Sequence, residues 1–232
     1  MRNFTWRFIL LLIVLASIAV RSDAQVGEGY WSFSNPKPFG FYVTSTSFID
    51  DNTGLMVGGA GGIAKTIDGG GLWKYFSYTF TDATNAIIKP VLNEVQFINS
   101  NTAMAVGTNG SMAKSIDGGT TWTHVTTPFY TSGIEIYTLF FFDENNGYIA
   151  GEPIDGNTSI YKTDNGGASW AKVTGIPEEG RAILKIRFSD NGVGYFTGMH
   201  NGIWEADGMS SLVWKFADNT WTDYSLKNAT VF

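Results

Sequence analysis

Cysteine is absent from the 232 residues, histidine occurs twice, and 15 lysines and arginines face 21 acids. Without cysteine the chain has no disulfide and no thiolate ligand. Two histidines, His124 and His200, are too few for an imidazole metal site, so neither metal nor cofactor is expected. A net charge of −6 with no basic run leaves no electrostatic footprint for nucleic acid or an anionic membrane surface. The nucleophile motifs are missing too. There is no Gly-x-Ser-x-Gly elbow and no thiol, and no catalytic residue is assigned.

One long apolar run is present, Phe8–Val20, behind Arg2 and Arg7 and ahead of Ser22-Asp23-Ala24. A basic start, a 13-residue apolar stretch and small residues at the end are the parts of a secretory leader. The run is short for a bilayer span. Residues 1–24 are therefore expected to be removed, leaving Gln25–Phe232 with no integral membrane segment. Export without cysteine fits bacterial secretion, to the periplasm, the cell envelope or the medium.

Beyond the leader no window holds a 3.6-residue apolar period, and self-similarity takes its place. KTIDGGGLW at Lys65–Trp73 returns as KSIDGGTTW at Lys114–Trp122 and KTDNGGASW at Lys162–Trp170. Phe48, Phe97, Phe141 and Phe188 each precede a glycine by ten residues: Gly58, Gly107, Gly151 and Gly198. The fourth unit carries EADGMSSLVW, which reads as a decayed copy with Glu205 where lysine stood and Trp214 as its tryptophan. Each unit divides into four short segments rich in Val, Thr and aromatics, punctuated by Asn, Asp and Gly. Four antiparallel strands repeated at this period predict an all-β fold, a β-propeller of about four recognisable blades, either closed by itself or part of a larger ring. The blades fall at 41–80, 91–127, 134–174 and 182–225.

The glycine-rich stretch lies between the third and fourth strand of its unit, so it is a hairpin turn. Aspartate there accepts from turn N–H groups, glycine supplies positive φ, and tryptophan packs between sheets. A phosphate loop would need a helix after it, and a calcium loop needs oxygen ligands at alternate positions. The twelve residues concerned are Thr66, Asp68, Gly70 and Trp73, then Ser115, Asp117, Gly119 and Trp122, then Thr163, Asn165, Gly167 and Trp170. Their role is structural.

The pattern S/T-x-D-x-G-x-x-W resembles the Asp-box, or BNR repeat. Over Phe41–Trp214 the longer unit resembles secreted propellers related to photosystem II stability and assembly factors. That resemblance implies a protein-binding or assembly role, and in the assembly factors a basic, arginine-rich face. Sialidases, xyloglucanases and sortilin-type receptors carry Asp-boxes as well. A sialidase needs three arginines on its substrate carboxylate, and beyond the leader only Arg181 and Arg187 remain.

The loops opposite the Asp-boxes are the natural ligand face. The connection Ser77–Pro90 carries Tyr78, Phe80 and Asp82, and the next carries Tyr130. The third unit has a long second turn, Glu152–Ser159, with Glu152 and Asp155, and Glu178 and Arg181 open the fourth. The corresponding turn in unit four reads as short and holds His200, while His124 reads as a packed strand residue. Aromatics with carboxylates on one face suit a protein or carbohydrate partner. The expectation is an exported, non-catalytic interaction or assembly module. The alternative is a polysaccharide-active glycoside hydrolase using two of these carboxylates. An incomplete ring would favour a homo-oligomer.

Overall fold

The computed structural model describes residues 40–82, 84–177, 180–200 and 211–225. The expected leader, Glu178 and Glu205 lie outside the described residues. No helix of the described residues is long and apolar enough to cross a membrane.

Among the described residues four antiparallel four-stranded sheets follow one another, each in sequence order. The first holds β1 (Val43–Phe48), β2 (Gly54–Gly58), β3 (Gly62–Thr66) and β4 (Lys74–Ser77). A two-stranded hairpin, β5 (Phe80–Thr81) and β6 (Ile87–Ile88), precedes the second sheet. That sheet holds β7 (Leu92–Phe97), β8 (Ala103–Gly107), β9 (Met112–Ser115) and β10 (Thr123–His124). The third has β11 (Ile136–Phe141), β12 (Gly147–Gly151), β13 (Ile160–Thr163) and β14 (Ala171–Lys172). The fourth has β15 (Arg181–Phe188), β16 (Gly194–His200), β17 (Ser211–Ala217) and β18 (Thr220–Asp223). The fold is a β-propeller of four-stranded blades.

Burial explains the sequence of each strand. First strands of successive sheets, β1, β7, β11 and β15, run side by side. β8 (AMAVG) is buried throughout, because a sheet packs on each of its faces, and small apolar residues suit that double contact. The fourth strands are short and mostly exposed, two residues in β10 and in β14, which leaves little edge for other chains to pair with. Three apolar clusters fill the junctions. Leu55, Val57 and Val95 centre the first, Met104, Leu139 and Ile149 the second, and Ile183, Phe196 and Trp214 the third.

The repeated glycine ten residues after phenylalanine has a steric origin. Each first strand bulges opposite it: the register slips between Val43 and Ser45, Leu92 and Glu94, Ile136 and Thr138, and Ile183 and Lys185. The bulge drives a backbone carbonyl over the glycine. A Cβ at Gly58, Gly107, Gly151 or Gly198 would overlap the carbonyl oxygen of Tyr42, Val91, Glu135 or Ala182.

The fourth unit departs from the sequence reading. Lys65, Lys114 and Lys162 pair across the sheet with Leu55, Met104 and Tyr148, and the residue in that register in the fourth sheet is Lys215, opposite Tyr195. The repeat lysine is thus Lys215. Trp214 sits inside β17 and is fully buried, and the tryptophan in the box register is Trp221, opposite Phe216. The turn between them is Asp218-Asn219, with φ of 49° and 59°, the left-handed pair of a two-residue hairpin loop. This box is two residues shorter than the others, so the S/T-x-D-x-G-x-x-W spacing does not fit it. In this unit β16 ends at His200 and β17 begins at Ser211, which does not match the short second-to-third turn expected.

Candidate functional site

The box turns direct their polar groups inward. Thr66 Oγ1 accepts from Gly70 N at 2.9 Å and donates to Asp68 Oδ1 at 2.8 Å, and that oxygen accepts from Leu72 N at 2.9 Å. Ser115 and Asp117 repeat the pattern with Gly119 and Thr121, and Thr163 and Asn165 with Gly167 and Ser169. Backbone N–H groups, Thr121 first, hold the Asp117 carboxyl down to about 2. Trp122 Nε1 donates to Gly119 O. Gly70, Gly119 and Gly167 take φ of 94°, 87° and 91°, conformations that side chains rarely adopt.

The residues expected on the loop face part company. Tyr78 and Phe80 are 3% and 5% exposed, so they are core side chains, not an open ligand surface. Tyr78 Oη meets His124 Nδ1 at 3.0 Å, Phe80 stacks on the His124 ring at 4.7 Å, and Tyr130 leans on both rings. These four side chains clasp the connections after β4 and β10, and burial lowers the His124 pKa. Asp82 closes the β5–β6 turn, accepting from Thr84 N and Ala86 N. Asp155 stands exposed in the Glu152–Ser159 turn at φ 51°. Glu152 accepts from Tyr137 Oη at 3.1 Å and from Glu135 N at 3.3 Å. Burial and then the charges of Glu135 and Glu152 raise the Tyr137 pKa. Arg181 N donates to Thr158 Oγ1 and so ties β15 to that turn. His200 is the last residue of β16, opposite Arg181, and not part of a short turn.

A polar site that the sequence reading did not single out lies on the first strands. These strands sit side by side without pairing as a ladder, so their backbone groups need side-chain partners. Ser45 and Ser47 accept from Val95 N and Phe97 N. Glu94 and Gln96 accept from Leu139 N and Phe141 N, and Thr138 from Ile186 N. Ser45, Glu94, Thr138 and Lys185 occupy one register position, opposite Val57, Val106, Ala150 and Thr197. In the fourth sheet the acceptor has become a cation.

Glu94 collects the charge. Its side chain is 4% exposed, and Oε1 receives Lys185 Nζ at 2.9 Å and Arg187 Nη2 at 2.6 Å. Burial pushes its pKa up, but hydrogen bonds from Lys185, Thr138 and Arg187, with the Arg187 charge, outweigh this and hold it below the ordinary value. The cations remain about half exposed, 45% and 53%. They outnumber the carboxylate beside a cavity of about 200 Å³ lined by Ser47, Gln96, Phe140 and Arg187. The signal that could have found them is register alignment of the repeats, which shows polar residues recurring at one place in otherwise apolar strands. Among the described residues no three His, Asp or Glu side chains gather as a metal site.

Comparison with known proteins returns the same architecture. The family described as photosynthesis system II assembly factor YCF48 matches residues 81–175. No curated protein matches the chain in sequence. A solved YCF48 bound to D1 peptide is 19% identical with a TM-score of 0.59, over 81% of this chain and 56% of that one. YCF48 from Cyanidioschyzon merolae is 19% identical, TM-score 0.59, over 84% and 59%. A GH74 enzyme of Niastella koreensis is 21% identical, TM-score 0.61, over 79% of this chain and 30% of the enzyme. The chain thus spans a little over half the length of the assembly-factor structures and under a third of the enzyme. At these identities the likeness is one of fold.

Proposed function

We propose that this chain, a BNR-type β-propeller resembling the photosystem II assembly factor YCF48, is an exported, non-catalytic module that binds an acidic segment of a partner polypeptide. The observation that carries the reading is the pair of half-exposed cations, Lys185 and Arg187, held on the buried Glu94 beside a cavity. One carboxylate fixes both cations in place without neutralising them, so they are oriented for an incoming anion at little further entropic cost. The YCF48 neighbour is solved with a peptide, which supports a polypeptide as the partner class. Titration of the full chain with a fluorescein-labelled tetraglutamate peptide tests it. Binding is expected at 50 mM salt, weaker at 500 mM because screening shortens the reach of exposed charges, and lost in Lys185→Met/Arg187→Met/Glu94→Gln, which leaves no buried charge unpaired. Salt-independent binding, or binding unchanged in that variant, refutes the site.

A second reading, a polysaccharide hydrolase, draws support from the GH74 neighbour and from the two carboxylates flanking Tyr137. Release of reducing sugar from a polysaccharide panel, abolished by Glu152→Gln, would replace the binding module with an enzyme.

A further inference from the structure

At the first two sheet junctions, the box turn of the later sheet reaches back over the repeat lysine of the earlier one. Gly118 lies beside Lys65 Nζ and Gly119 packs on Leu55. Lys114 Nζ donates to Gly166 O at 3.4 Å, and Gly118, Gly119, Gly166 and Gly167 are all buried. Gly69 of the first box, with no described sheet before it, is exposed. At the third junction the fourth box is cut to the tight Asp218-Asn219 hairpin, two residues shorter than the turns that meet Lys65 and Lys114. Lys162 is exposed there, while Lys65 and Lys114 are half-buried. Tyr148 is half-buried where its register equivalents Leu55 and Met104 are fully buried, and Phe142 is 50% exposed. What remains is a groove of about 630 Å³ lined by Phe142, Asp143, Tyr148, Lys162, Asp164 and Trp170.

We propose that this groove is a docking site for a glycine-bearing turn of a partner polypeptide. The turn gives a backbone carbonyl to the Lys162 ammonium and lies across the rings of Tyr148 and Phe142. The occupant is argued from the molecule itself: the same position is filled twice elsewhere, both times by a glycine turn against a lysine. Gly119 and Gly167 take φ of 87° and 91°, which side chains rarely adopt, and a Cβ on Gly119 would also crowd the Leu55 side chain, so glycine suits the contact. The Phe142–Phe188 contact at 4.7 Å and the Tyr148–Phe188 stack at 5.3 Å fix the aromatic floor in place.

The probe is the terminally blocked peptide KSIDGGTTW, the sequence of the turn that fills the first junction, added to isotope-labelled full chain. The expected result is a saturable shift of the Phe142, Tyr148 and Lys162 signals with a Kd of about 1 mM or tighter. Lys162→Met, a surface change that should leave the urea midpoint unaltered, is expected to weaken binding about fivefold or more, the loss of roughly 1 kcal/mol. Inserting Gly-Gly between Asn219 and Thr220 restores the box length and is expected to abolish peptide binding by filling the groove from within. No saturable shift up to about 10 mM, or equal affinity in folded Lys162→Met, overturns the proposal. Xylo-oligosaccharide moving these signals while the peptide does not would overturn it too. The triple variant Lys185→Met/Arg187→Met/Glu94→Gln, which leaves no buried charge unpaired, should leave this binding intact, which separates the groove from the cation site.

Discussion

Replacing Lys185 and Arg187 together with methionine should destabilise the protein far more than replacing Glu94 with glutamine. The asymmetry comes from exposure. Glu94 is 4% exposed, so without its cations it keeps only Leu139 N and Thr138 as donors and cannot recover water. An uncompensated buried charge of this kind costs about 3–5 kcal/mol. The cations are about half exposed, so when Glu94 becomes neutral they return to solvent, and glutamine still accepts from Leu139 N. That change should cost about 1 kcal/mol or less. The two variants also differ in pH dependence. In the parent the folded pKa of Glu94 is depressed, so its contribution is complete above the unfolded carboxyl pKa of about 4.3 and is lost as pH falls through the lower folded value. Without cations, burial raises the folded pKa above 4.3, the folded state takes up the proton first, and stability is recovered as pH falls. Urea denaturation at pH 7 and pH 5 reads both effects. The gap between parent and double variant should narrow at pH 5, and adding Glu94→Gln to the double variant should restore stability at pH 7. A double variant no less stable than Glu94→Gln, or a gap that stays constant or widens on acidification, refutes the account.

Gly107→Ala places a methyl against the Val91 carbonyl at a bulge, and backbone cannot yield as a flexible side chain does. A loss of about 3 kcal/mol in chemical denaturation is expected, and a neutral result would show that the bulge relaxes. Ser115→Ala strands the buried Gly119 N–H that Ser115 Oγ now accepts at 2.8 Å, which should cost about 1–3 kcal/mol, whereas Ser115→Thr should be close to neutral. Burial holds the His124 pKa below its unfolded value near 6.5, so the unfolded chain binds the proton first and stability should fall as pH drops below about 6.5. His124→Gln should flatten that slope in thermal melts at pH 7.5 and 5.5, and an unchanged slope assigns it to another group.

The blade count and strand order were legible because the repeat is local. Turn chemistry within eight residues, such as Thr66 to Asp68 to Leu72, and the alternation of apolar positions need no distant contact to be recognised. The same locality misled in the fourth unit. EADGMSSLVW looks like a box in one dimension, while Lys215 and Trp221 hold the box register only because β17 pairs with β16 where it does. Tyr78 and Phe80 looked like exposed loop aromatics. Their burial against His124 depends on a residue 46 positions away.

The amino-acid sequence by itself determined a cysteine-free, acidic chain of repeated four-stranded sheets joined by glycine hairpins, since each of these follows from composition or from contacts a few residues apart. Only the tertiary structure decided which polar groups are available for binding. Glu94 meets Arg187 across 93 positions, and Lys162 is exposed where the corresponding turn, more than 50 residues later, is two residues short. Neither juxtaposition is written in any local segment. Each arises where separate blades are brought together by burial of their apolar faces.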